Sequence, residues 1–245
     1  MLLRDNEAVP GAKEFIRRLS EGKRPFILLT NYPSQTPADL HNRLAQAGMD
    51  VPPERFYTSS MATAAFLERQ EGRKAYVIGE GALTHELYRI GFTMTDVNPD
   101  FIVVGETRAY NWDMIAKAAY LIMETGARFV ATNPDVAGPK GHPACGALCA
   151  PIERITGKRP FYIGKPSPWI LRAALNEMGA HSEETVIIGD NMSTDILAGV
   201  QAGMETWLVL TGVTRESDLD RFPYRPNRIL HGLDEAAGEP ASVEE

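Results

Sequence analysis

Seven short apolar runs separated by helical patterns constrain the fold of this chain more than any other feature. They are PFILLT (25–30), AYVIG (75–79), FIVVG (101–105), RFVAT (128–132), FYIG (161–164), TVIIGD (185–190) and TWLVLTG (206–212). A strand with one wet face alternates apolar and polar residues, because successive side chains point to opposite sides of the sheet. These runs do not alternate. They predict strands buried on both faces, as in a parallel sheet. Parallel neighbours need crossover connections, and the stretches between the runs supply them. Ala12, Phe15, Ile16 and Leu19 keep the i, i+3, i+4, i+7 spacing of one buried helix stripe. Thr36-Pro37 reads as the cap and first-turn proline of a second helix, which Gly48 closes. Residues 113–124 and 169–178 predict two more. The alternation as a whole predicts a doubly wound α/β fold.

With 245 residues there is room for one large domain or two modest ones. Soft boundaries near 70–74 and 157–160 enclose a middle βα segment. The expected organisation is a core made of residues 1–72 and 161–245, with an α/β domain of residues 73–160 inserted in it. The polar, acidic tail from Gly238 is expected to fray.

Charge and composition narrow the function. A net charge of −7, without a cluster of Lys and Arg, argues against nucleic acid as a partner. No apolar stretch approaches the ~20 residues of a membrane span. Charges at Arg4 and Asp5 break any signal-peptide core. The expectation is a cytoplasmic protein with no membrane partner and with a homo-oligomer left open. Cys145 and Cys149 lie four residues apart on a predicted helix. Two thiols make neither a zinc site nor a disulfide framework, so both are expected to be small buried side chains in a reducing compartment.

Chemistry concentrates at three strand ends. TVIIGDNMSTDILAG (185–199) places Asp190 at a strand tip and Asp195 at a helix start, with Ile196, Leu197 and Val200 facing inward. A carboxylate there suits a hard cation such as Mg²⁺. The main-chain N–H groups of Asn191, Met192, Ser193 and Thr194 are placed to meet an anion. Alternatively, Asp190 is a turn residue and Asp195 a helix cap. In FYIGKPSPWIL (161–171), Lys165 follows a strand at once and can neutralise an anion, or is an ordinary surface lysine. In PFILLTNYPSQT (25–36), Thr30 and Asn31 offer a hydroxyl and amides to phosphoryl oxygens, or simply make a turn. Gly79-Glu80-Gly81 follows a strand, but Thr84 stands where a dinucleotide fingerprint needs its third glycine. A nucleotide-binding protein without hydrolytic activity is the reading from another class.

The order Thr30-Asn31, Lys165, Asp190 with Asp195 resembles the second, third and fourth motifs of haloacid dehalogenase phosphatases. The strings LLTNYPSQT, FYTSSMATAAFL, ATNPD, PACGALCA, GKPSPWI and GDNMSTDILAG are similar to the NagD branch of that superfamily, over nearly the whole chain. The resemblance implies an HAD-like core with a cap domain inserted between the second and third motifs. It implies a Mg²⁺-dependent phosphate monoester hydrolase acting on small molecules, nucleoside monophosphates such as UMP first and sugar phosphates as the alternative. Thr30 and Asn31 would contact the transferring phosphoryl group, and Lys165 would balance its charge. Asp190 would ligate Mg²⁺ with Asp195 behind it. The loop from Asn133 through Gly146 would face the leaving group.

The same resemblance implies an Asp nucleophile and, two residues later, an Asp acid/base at the tip of a first strand. The opening MLLRDNEAVPGAKEF resembles the stretch just after that strand, and neither Asp5 nor Glu7 fits the place. The expectation is that this strand and both aspartates precede residue 1. The alternative is a non-catalytic descendant that keeps the anion-binding crevice.

Overall fold

The computed structural model describes residues 1–22 and 25–237, so the tail from Gly238 lies outside the described residues. In chain order the elements are β1 (Leu3–Arg4), β2 (Glu7–Ala8), α1 (Ala12–Glu21), β3 (Leu28–Thr30), α2 (Pro37–Gln46), β4 (Phe56–Thr58) and α3 (Ser59–Glu68). There follow β5 (Lys74–Ile78), α4 (Gly81–Arg89), β6 (Thr93–Met94), β7 (Phe101–Val104), α5 (Trp112–Tyr120), β8 (Arg128–Ala131), α6 (Cys145–Thr156) and β9 (Phe161–Tyr162). The chain continues through α7 (Pro168–Met178), β10 (Val186–Gly189), α8 (Leu197–Ala202), β11 (Glu205–Val209), β12 (Arg228–Leu230) and α9 (Leu233–Ala237). Each of the seven apolar runs contains a strand. No helix among the described residues is long and apolar enough to cross a membrane.

Two compact units emerge. One comprises Met1–Leu28, Pro37–Phe56 and Ala174–Glu245, the other Leu29–Thr36 and Tyr57–Ala173. β3 and β4 pair with each other.

In the first unit, β10, β11 and β12 form a parallel sheet in that order. Ala12, Phe15 and Ile16 of α1 are buried with Trp207, Val209 and Leu230, and Leu19 packs against them, so the helical stripe read from spacing faces this core. α9 lies against α1. An antiparallel hairpin of β1 and β2 opens the chain, in register Leu3↔Ala8 and Arg4↔Glu7. Its two turn residues, Asp5 and Asn6, both have positive φ (49° and 72°). That is the twist a two-residue hairpin requires, and Asp and Asn tolerate it. Neither strand lies in one of the seven apolar runs, so the apolar pattern gives no sign of them.

The second unit carries a five-stranded sheet in the order β6-β5-β7-β8-β9, parallel throughout. All four residues of β7 are buried, because strands flank it and helices cover it. The sequence alone puts FYIG on the core side of a boundary at Pro160, whereas β9 pairs with β8 in this sheet. Phe161 also stacks on Phe66 of α3, ring centroids 5.1 Å apart. Cys145 and Cys149 are both buried free thiols on α6.

Candidate active site

The carboxyl end of β10 leads into a π-helical turn over Met192–Ile196 and then into α8. Inside that turn Asp195 is buried, and its Oδ2 accepts the main-chain N–H groups of Asp190 (3.2 Å) and Asn191 (3.1 Å). One carboxylate thus folds its own loop, since buried N–H groups must find acceptors. Asp190 Oδ2 accepts the N–H of Val213 at 3.0 Å. A Cβ on Gly212 would lie 1.8 Å from that oxygen, so only glycine lets the two segments approach this closely. Asp190 Oδ1 lies 3.3 Å from the Met1 nitrogen. Among the described residues no group of three or more His, Cys, Asp or Glu gathers to hold a metal.

Two expectations need correction here. The N–H groups of residues 191–194 do not stand open to an anion. Asn191 donates to Asp195, Met192 to Thr214 Oγ1 (2.9 Å), Ser193 to Asn191 Oδ1 (2.9 Å) and Thr194 to the Asn191 carbonyl (3.4 Å). The loop satisfies itself. Val200 is exposed rather than inward, because the π turn inserts an extra residue and rotates the face that follows.

The other strand-end residues lie in the second unit. Thr30 ends β3, and its Oγ1 accepts the Tyr32 N–H at 3.1 Å. Lys165 is only 8% exposed, which rules out an ordinary surface lysine. Its Nζ lies 3.3 Å from the Leu29 carbonyl. Asn31 joins it directly. Asn31 Nδ2 donates to the Lys165 carbonyl (2.8 Å), and its Oδ1 accepts the Lys165 N–H (2.8 Å). The same Nδ2 donates to Asp135 Oδ2 at 2.9 Å. A Cβ on Gly164 would come within 2.6 Å of the Thr132 carbonyl and 2.8 Å of Asn31 Oδ1, so glycine is required where the loops cross.

Ser59 and Glu106 of this cluster escape sequence reading, and Asn133 is named there only within the loop expected to face the leaving group. Asn133, fully buried, donates to the Asn31 carbonyl at 2.8 Å, and Ser59 Oγ reaches the same carbonyl at 2.7 Å. Glu106, just beyond β7, lies near the Cys145 main chain and the Asn133 side chain, both of which favour its ionised form. Burial, with the Asp135 carboxylate second, nonetheless holds its carboxyl up at about 7. The one available signal is the pair Ser59-Ser60 inside an otherwise apolar helix start, where Thr58 already supplies the cap.

Models of haloacid dehalogenase-like hydrolases match residues 1–93, and models of HAD-hydrolase-like proteins match residues 162–236. The chain is 65% identical to the ribonucleotide monophosphatase NagD of Escherichia coli K12 over 235 residues, covering 96% of this chain and 94% of that one. It belongs to the NagD family of the haloacid dehalogenase superfamily. As a member, it is a phosphatase of the haloacid dehalogenase type. The solved structure of E. coli NagD superposes with a TM-score of 0.93 over 96% of this chain and 94% of its own length, again at 65% identity. A dihydroxyacetone phosphatase of Corynebacterium glutamicum is 46% identical over 242 residues, 97% of this chain and 87% of the relative. Family membership bears out the doubly wound core with its parallel sheet.

Proposed function

We propose that this phosphatase hydrolyses nucleoside 5′-monophosphates with Mg²⁺ as cofactor. The observation that carries this reading is the 65% identity to a ribonucleotide monophosphatase across 96% of the chain. Lys165, buried and held through its main chain, would present its ammonium to the phosphoryl oxygens. There it would offset charge that builds up in the transition state. Thr30, whose hydroxyl oxygen already accepts the Tyr32 N–H, would donate its own proton to a phosphoryl oxygen. Asp190 would hold Mg²⁺, and Asp195, by fixing the Asp190 main chain, would keep that carboxylate in place. The ion would supply Lewis-acid neutralisation of the phosphate. Residues 73–160 would act as the inserted cap and select the leaving group. The 46% identity to a dihydroxyacetone phosphatase favours a second reading, a small sugar phosphate as substrate.

No residue of these 245 is assigned as the attacking carboxylate. The test assays the chain with UMP and with dihydroxyacetone phosphate, with and without Mg²⁺. The expected result is Mg²⁺-dependent turnover that is abolished by EDTA and has the higher kcat/KM for UMP. Turnover that survives EDTA would remove the metal from the reading. A higher kcat/KM for dihydroxyacetone phosphate would replace the substrate.

A further inference from the structure

Both ends of the Asn31 carboxamide are committed to the protein. Its Nδ2 is shared between the Lys165 carbonyl and Asp135, and its Oδ1 takes the Lys165 N–H. An amide has two donor hydrogens and one acceptor oxygen. A phosphoryl oxygen approaching Nδ2 would have to displace one of these bonds. The two bonds to Lys165 close a ring that grips its N–H and C=O together, so the residue cannot turn about its own main chain.

Asp135 decides which way round the amide sits. An ionised carboxylate only accepts hydrogen bonds, so it can face Nδ2 but not Oδ1. With Nδ2 toward Asp135, Oδ1 is left facing the Lys165 N–H. The Asn31–Asp135 bond is charge-assisted and stronger than a neutral one. On the other side of Asn31, its carbonyl is held by Asn133 and Ser59.

We propose that Asn31 is a positioning residue that holds Lys165, rather than a ligand of the phosphoryl group, and that Asp135 sets its orientation. Asp135 lies in the loop after β8, so this bond ties the middle segment of the chain to the lysine. The inference rests on Lys165 being the phosphoryl-facing cation.

Two measurements on the full chain separate its failure from the failure of that reading. The first needs no ligand: exchange of the Asn31 side-chain amide protons, followed by NMR. Asp135→Ala is expected to speed exchange about tenfold, the worth of one hydrogen bond. Asp135→Asn, which keeps an acceptor, is expected to restore much of the protection. Unchanged exchange in Asp135→Ala overturns the proposal. The second is calorimetric binding of inorganic phosphate with Mg²⁺. Asn31→Ala and Asp135→Ala should each weaken it, and the double variant should bind no worse than Asn31→Ala alone. Additive losses, or wild-type affinity in Asn31→Ala, also overturn the proposal. If the wild-type chain binds no phosphate, the phosphoryl-site reading of Lys165 falls, while the exchange result still decides the role of Asn31. Should Asn31→Ala fail to fold, the Asp135 pair carries the test.

Discussion

Around Asp190, main-chain N–H groups converge on carboxylates, whereas around Lys165 a side-chain amide reaches out to main-chain groups. The partners differ in reach as well. Asp195 bonds residues four and five positions away, and Asp190 bonds one 23 away. Asn31 bonds residues 104 and 134 positions away. The first arrangement can form as soon as β10 and the segment after β11 are in place. The second exists only once three distant loops have come together. A carboxylate can organise its own loop because it accepts several N–H groups at once. A lysine cannot organise anything nearby in this way, since it only donates, and so it needs an outside clamp.

The sharpest break in this comparison is at the charges themselves. Lys165→Ala should lower kcat by on the order of 10²–10³-fold. Lys165→Arg should fail to restore it, because the planar guanidinium does not fit the place of a compact ammonium. Steady-state kinetics beside thermal melts will show whether activity falls far more than stability does. Asp190→Asn is expected to lose activity on a similar scale while keeping the acceptor for Val213.

Stability effects should come next in size. Gly164→Ala pushes a methyl group into the Thr132 carbonyl and the Asn31 amide, and should cost about 2–4 kcal/mol in urea unfolding. Asp195→Ala leaves the N–H groups of Asp190 and Asn191 without their acceptor, which should cost about 2–4 kcal/mol by the same measurement. If Asp195→Ala leaves stability unchanged, the contrast between a self-organised loop and a clamped one is lost.

The smallest effect concerns pH. Burial and Asp135 raise the Glu106 carboxyl from 4.5 to about 7, so between these values the folded chain holds a proton that the unfolded chain releases. Stability should therefore fall as pH rises through that window and level off above it. Glu106→Gln removes the dependence. Denaturation midpoints at pH 5 and pH 8 should differ less for Glu106→Gln than for the wild type. A wild type equally stable at both values would show that Glu106 titrates normally.

Legibility in the sequence followed the range of the interaction. The apolar runs located seven strands because two-sided burial leaves a continuous pattern that short-range reading detects. The hairpin of β1 and β2, the two-residue β6 and the short β4 and β12 escaped it, since none of them lies in one of those apolar runs. Thr30, Lys165, Asp190 and Asp195 could be named from their places after apolar runs. Their bonding could not. The N–H groups of residues 191–194 look open to an anion in sequence and are satisfied in the fold, because the acceptors Thr214 and Asp195 become visible only when the loop has closed.

By itself the sequence determined the class of fold, the family, and which side chains stand at strand ends, for all of these rest on local pattern or on motif. Tertiary structure decided that Lys165 is buried rather than on the surface, that Asn31 grips it, and that Asn133, Ser59 and Glu106 belong to the cluster. The reason is physical. Burial and hydrogen-bond partnership depend on which distant segments meet, and the spacing of residues along a chain carries almost no record of that.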